Sequence, residues 1–162
     1  YLGIALSYEK LENYDSMLEY LKKTFEVANS INDRSKAEDA QKKAKAYLLR
    51  NGDSAQKEKK YNEAIEFFTK VLEFDQTDGS IYLLIAVNHN ELKNWDKVIE
   101  NCKLALEHAN NSLDKTGIHY QMGTAYQSLG KNTEACEAFS NALSGTYGAA
   151  AEYQMKEVLK CN

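Results

Sequence analysis

One spacing constrains this chain more than any bulk property. The segments KKYNEAIEFFTKVLEFD (59–75) and KNWDKVIENCKLALEHA (93–109) align at an offset of 34 residues. Tyr61 falls on Trp95, Ala64 on Val98, Ile65 on Ile99, Phe68 on Cys102 and Val71 on Ala105. Inside each segment the apolar positions advance by threes and fours, as in Val98, Cys102, Ala105 and Ala109, which is the period of an amphipathic helix. Trp95, Ile99 and Leu106 widen that stripe, and Lys97, Glu100 and Lys103 lie off it. The same pattern returns near both ends, as Tyr14, Met17, Leu21 and Thr24, and as Ala135, Phe139 and Ala142.

A second helix precedes each of these four. Its signature is Tyr1, Ile4, Ala5, Tyr8; then Leu48, Asn51, Gly52, Ala55; then Tyr82, Ile85, Ala86, His89; then His119, Met122, Gly123, Tyr126. From the last residue of each set to the small or medium apolar residue of the next helix is always nine positions. The sequence contains no Pro at all, which suits long helices, whose interiors exclude it. Two longer intervals break the period. Val98 to Ala135 is 37 residues, which places three extra residues in a surface loop at 110–115, and Met17 to Ala64 is 47 residues, which places thirteen extra near 33–45. That second stretch lacks a breaker and sets Ala37, Ala40 and Ala44 on one face, so a single helix is predicted over about 34–59, capped by Asp33 or Ser35. Asn51-Gly52 reads locally as a turn, but the register puts Gly52 mid-helix, where two helices approach too closely for a side chain.

This pattern resembles the tetratricopeptide repeat family, whose unit is a helix–turn–helix of about 34 residues. The resemblance implies an all-α fold, a right-handed superhelix of antiparallel helix pairs, forming one domain over 1–162. Its units would be 1–31, 45–78 preceded by an extension at 33–44, 79–112 and 116–148, with a capping helix at 149–160 that packs Tyr153, Leu159 and Ala149 or Ala150 inward. Some positions depart from the family pattern. The Pro usual after the second helix is missing, with Gln76 in its place; Asn51 replaces an apolar residue, Cys102 a large one, and His89 and His119 aromatics. In the family, the first helix of each pair lines a concave face that holds a peptide or a helix. Carried over, that face comprises Leu6; Leu49, Arg50, Asp53, Gln56 and Lys57; Leu83, Leu84, Val87, Asn90 and Glu91; and Tyr120, Gln121, Thr124 and Gln127. Members that bind chaperone tails grip a terminal carboxylate with several Lys, Arg and Asn. Here Arg50 stands alone, with Asp53 one turn away, which disfavours that ligand.

Chemistry-bearing patterns are sparse. There is no HExxH, CxxC, Gly-rich phosphate loop or Ser nucleophile elbow. DQTDGS (75–80) opens like a calcium loop, but Ile81, Tyr82 and Leu83 follow where ligands are needed, so Asp78 or Ser80 reads as a helix cap. Glu63 with Glu66, and Glu134 with Glu137, read as solvated faces. Trp95 and Cys102 read as packing residues, and His108 as a cation near a helix C-terminus. No enzyme activity, cofactor or metal is expected.

Cys102, Cys136 and Cys161 are odd in number and widely spaced, which predicts no disulfide framework and fits a reducing compartment slightly better. The cytoplasm is thereby slightly favoured, with export left open. The first residue is not Met, so the chain reads as a processed product or a piece of a longer one. No apolar run suffices for membrane insertion. Asn110 heads a minimal glycosylation triplet, relevant only to a secreted protein. The net charge of −4 argues against nucleic acid. Residues 34–60 nonetheless carry nine basic and four acidic groups, and a nucleic-acid binder would need those Lys aligned as one stripe.

The leading expectation is a non-catalytic scaffold whose groove takes a protein or peptide partner. The alternative is a helical sensor or regulatory domain of a larger signalling or enzyme chain. Self-association through the 34–59 helix is expected as well, because an ordinary unit would leave its alanine face uncovered.

Overall fold

The computed structural model describes residues 1–110 and 113–161. Among these it contains nine α-helices and no strand: α1 (Leu2–Lys10), α2 (Tyr14–Ser30), α3 (Arg34–Lys57), α4 (Tyr61–Val71), α5 (Gly79–Glu91), α6 (Trp95–Glu107), α7 (Lys115–Ser128), α8 (Asn132–Ser140) and α9 (Gly148–Tyr153). A π-helical segment, Gln154–Leu159, continues α9. Each helix packs on its sequence neighbours, α1 on α2, α2 on α3 and so on to α8, building an α-α superhelix of antiparallel pairs. The loop at 110–115 and the Asn110 triplet include positions 111 and 112, which lie outside the described residues.

The nine-residue interval has a backbone cause. At the end of α1, α3, α5 and α7 one residue takes a left-handed conformation: Glu12, Lys59, Lys93 and Gly130. The next N–H then reaches back five residues, Asn13 to Tyr8 O, Lys60 to Ala55 O, Asn94 to His89 O and Lys131 to Tyr126 O, at 2.9–3.0 Å, the closure that satisfies orphan carbonyls at a helix end. The same four residues cap the following helix, their carbonyls accepting from the N–H of Met17, Ala64, Val98 and Ala135. Five residues to close one helix and four to open the next make nine.

The core follows the register. Met17, Leu21, Leu48, Ala64, Phe68 and Val71 are buried in one cluster, Val98, Ile99, Cys102, Ala105 and Ile118 in a second, and Ala135, Phe139, Ala142 and Ala151 in a third. Each large side chain buried in this way contributes about 1.5–3 kcal/mol. Gly52 lies inside α3 as the register requires: a Cβ there would stand 2.4 Å from the Phe68 ring, and one on Gly123 would stand 2.6 Å from Phe139. Where the first helix of a pair carries Ala instead, at Ala5 and Ala86, the partner position is narrower, Leu21 and Cys102. Cys102 is thus the size complement of Ala86. Burial pushes its thiol up to about 12.

Three expectations are corrected. The alanine face of α3 is covered within the chain: Ala37, Ala40 and Ala44 are buried because α2 is itself long and packs along it, and because the chain after α4 folds back over it. Phe74 packs on Phe25, its carbonyl accepts from Gln41 Nε2 at 2.9 Å, and Lys45 Nζ bridges Asp75 and Asp78 at 2.8 and 3.1 Å. The ground for self-association through that face is removed. Second, Cys136 and Cys161 form a disulfide between α8 and the end of the chain, so the cysteines are not all free. Third, the capping helix 149–160 turns π-helical after Tyr153 and buries Ala151, with Met155 and Leu159 packed behind it. Those positions step by four, which turns Tyr153 outward, 59% exposed, and leaves Ala149 and Ala150 exposed.

Candidate functional site

The first helices of the pairs begin at fixed points because Asp side chains accept from nearby N–H groups: Asp33 from Lys36, Asp78 from Ser80 and Asp114 from Thr116. Asp78 therefore works twice, as the α5 cap and as a partner of Lys45. Burial pushes the Asp78 carboxyl up, but hydrogen bonds from Ser80 and Lys45 outweigh it and hold the group below its ordinary range. Asp75 shows the same balance, with Lys45 and Thr77 as donors.

At the N-terminal end of the candidate groove, α1, α2 and α3 enclose a cleft of about 290 Å³. Leu6 and Arg50, both among the candidate concave-face positions, line it together with Glu9, Lys43, Ala46 and Tyr47. Tyr47 stacks on Tyr14 at 4.9 Å between ring centres, forming one wall. Among the described residues no ion pair engages Lys43, Arg50 or Glu9, and none joins Arg50 to Asp53. The cleft carries two uncommitted cations against one carboxylate. Sequence reasoning missed Lys43 because it lies in the extension, outside the family unit, and Ala46 because the concave-face positions carried over from the family begin at Leu49. Their spacing from Arg50, seven and four residues, already put all three on one helix face.

The middle of the groove is apolar. Leu49 and Leu84 are half-buried against the first core and Leu83 against the second, and Val87 is also half-buried. Gln56 on α3 accepts from Asn88 Nδ2 on α5 at 3.2 Å, tying two lining helices together. Asn88 is fully buried and its Oδ1 has no protein partner; the Oδ1 of Asn90 is likewise enclosed and unpaired. Asp53 and Lys57 are exposed, and the Tyr61 hydroxyl is held above its ordinary value by burial and by the nearby Glu91 carboxylate.

The C-terminal end is more occupied than expected. Tyr120 stacks on Tyr147 at 4.7 Å and tilts against Phe139 at 5.6 Å, so its ring serves packing. Thr124 Oγ1 donates to the Tyr120 carbonyl, and Gln127 Nε2 donates to Gln154 Oε1 in the π-helical segment. Gln121 is half-buried with its amide uncommitted. The structure therefore brings Leu6 and Arg50 into one cleft and spreads the remaining candidates along the array.

The residues of 93–109 are packing residues. Trp95 is partly buried against the second core, Cys102 is fully buried, and His108 stacks on Tyr82 at 5.4 Å. His89 and His119 are pushed below the ordinary imidazole value by burial, with Lys97 adding to the effect at His89. Among the described residues no group of His, Cys, Asp or Glu is arranged to hold a metal, and no helix is long and apolar enough to cross a membrane.

Stacked helix pairs joined by identical corners, with the leading helices along one face, define a helical-repeat protein. The sequence pattern of the tetratricopeptide repeat matches residues 1–31, 44–78 and 116–144, and the chain belongs to that family. The Hsp70-Hsp90 organising protein of Plasmodium falciparum (isolate 3D7) is 25% identical over 111 residues, 66% of this chain, and the chain spans only 20% of that relative's length. Among solved structures, the Arabidopsis OM64 TPR domain superposes with a TM-score of 0.64 at 22% identity, covering 72% of this chain and 98% of the domain. The first TPR of Spaghetti (RPAP3), bound to the HSP90 peptide SRMEEVD, gives 0.63 at 21% identity over 73% of this chain and 94% of that one. At these identities the two structures speak to the fold.

Proposed function

We propose that this chain is a non-catalytic interaction scaffold that holds a peptide of a protein partner along its leading helices. The observation that carries the reading is the α1–α3 cleft, where, among the described residues, Lys43 and Arg50 stand without ion-pair partners beside half-buried Leu6 and Tyr47. A ligand suited to this surface sets an acidic side chain in the cleft and an apolar side chain on Leu83, Leu84 and Val87. Its backbone pairs with the amides of Asn90 and Gln121, which both donate and accept. The organising protein is named for Hsp70 and Hsp90, and the Spaghetti domain is bound to an HSP90 peptide, which supports a peptide ligand in general. A chaperone tail held by its terminal carboxylate is disfavoured, because one Arg and one Lys replace the larger cationic set that such ligands need.

The test is binding of an acidic–apolar peptide library by fluorescence anisotropy, each hit carried as free acid and as C-terminal amide. Lys43→Ala with Arg50→Ala, and Leu84→Glu with Asn90→Ala, should each weaken binding at least about tenfold, the loss of ~1.4 kcal/mol expected from one charge-assisted contact or one apolar anchor. Amidation should change little. Equal binding by wild type and both double variants removes the reading.

A further inference from the structure

The C-terminal closure of the array is built from weak parts held by one strong one. α9 has only six residues, and the six that follow are π-helical with none fully buried. Helices this short are marginal alone, and π geometry survives mostly as single turns. The segment ends at Lys160, a non-glycine residue in the left-handed region at φ 53°, a conformation that is unfavourable for an L residue. Its noncovalent hold consists of Met155 and Leu159 against Ala135, Phe139, Ala142 and Ala151, together with the Gln154–Gln127 hydrogen bond. Among the described residues Lys156 pairs only with Glu152 of α9, so that ion pair does nothing to bind the segment to α8. Beyond these stands the Cys136–Cys161 disulfide, which joins α8 directly to the far end of the segment across 25 residues.

The two bonded cysteines are not sealed in a core. Cys136 and Cys161 are half-buried, whereas Cys102 is fully buried in the second core. The only free thiol among the described residues is therefore shut away from exchange with this bond.

We infer that Cys136–Cys161 is a redox clasp: its reduction releases the π-helical segment from α8 and uncovers the last core, while the preceding helix pairs stay folded. The reductant is a dithiol of the kind cells and reagents both supply. Its thiolate attacks Cys161 Sγ, the Sγ–Sγ bond breaks, and Cys136 leaves as a thiolate that takes up a proton. The second thiolate of the reductant then displaces Cys161, which is protonated in turn, and the reductant ends as its own disulfide. Release also frees Gln127 at the end of the groove. That consequence rests on the groove reading above, whereas the release itself is measured without any peptide.

The test is amide hydrogen exchange on the intact chain, oxidised and after dithiol treatment. The amides of 154–161 should exchange at least about tenfold faster in the reduced protein, those of α5 and α6 keeping their protection, as expected of a local opening. Trypsin cleavage after Lys156 should accelerate in parallel. Cys136→Ser with Cys161→Ser should behave as reduced without reductant and ignore the dithiol. Unchanged protection of 154–161 after verified reduction overturns the clasp. So does loss of protection in α5 and α6 at the same rate, because that would make the bond a global staple.

Discussion

The two ends of the array differ in a way that exposes how it is stabilised. In the interior, Ile85 and Met122 are 4% and 9% exposed; Ile4, at the equivalent place in α1, is 43% exposed. Tyr1 stands open at 59% where Leu48 and Tyr82 are buried, and Val27 and Ile31 extend the apolar surface around it. The helices have the same register and the same corner, so the difference comes from what precedes them. The outer faces of the later leading helices are completed by the helices before them, α4 on α5 and α6 on α7. At the other end, α8 has its face covered by Ala151, Met155 and Leu159 and tied by a disulfide. Burial here belongs to the joints between units more than to the units themselves.

Predictions follow from trying to abolish or enlarge that difference. The largest effect is expected from Phe139→Ala in the closed end, about 3–5 kcal/mol by denaturant unfolding, against under about 1 kcal/mol for Ile4→Ala in the open end. Equal losses would mean the ends are alike. Removing the clasp with Cys136→Ser and Cys161→Ser should cost about 2–4 kcal/mol, read as a lower Tm that dithiol no longer shifts.

The middle joint offers a pH test. Asp75 and Asp78 sit below their ordinary value of 3.8 in the folded chain, so their stabilisation is complete above that value and is lost as pH falls through the folded values. The Lys45 ammonium is lifted above 10.5, its bonds to the two carboxylates outweighing burial, so its share is lost only as strong alkali is approached. Tm measured from pH 7 down to about 3 should therefore fall more steeply in wild type than in Asp75→Asn with Asp78→Asn, a change that keeps an α5 cap. The smallest effect is expected at the corners. Lys93→Gly should stabilise by about 0.5–1 kcal/mol, since Lys93 holds φ 59° where Gly130 serves in the last pair.

What could be read in advance was whatever repeats. Gly52 defied its Asn-Gly context because Phe68 needs the space, and the register carried that information through Gly123 and Phe139. Cys102 was legible as packing because Val98 and Ala105 flank it on one stripe. The disulfide was not legible, since a separation of 25 residues says nothing about pairing. Only the π-helical turn and the left-handed Lys160 bring Cys161 back to α8. The cover over Ala37, Ala40 and Ala44 was hidden for another reason: Phe74 and Asp75 come from the chain just after α4, and their counterparts one unit on, His108 and Ala109, give no sign of that role. Lys43 and Tyr47 were overlooked because the family unit starts after Lys43 and assigns Tyr47 no groove role. Tyr120 was placed on the right helix, but Tyr147, from a connection with no register, had already claimed its ring.

The corner made of five residues and four has a practical meaning for how such a chain can lengthen. A residue spliced between Tyr8 and Met17, or between Ala55 and Ala64, forces apart a bond that closes one helix and one that opens the next. The join leading out of α2 is locked in the same way, with Asn32 at φ 57°, the Asp33 N–H reaching Ala28 O and the Asp33 carbonyl accepting from Ala37, so the thirteen surplus residues there lengthen α2 and α3 instead of the join. The joins out of α4 and α6 show no left-handed residue among the described residues, and the second holds the other three surplus residues. Insertions and grafted epitopes are accommodated at the joins out of α4 and α6, while the locked corners act as a ruler that keeps every later pair in step.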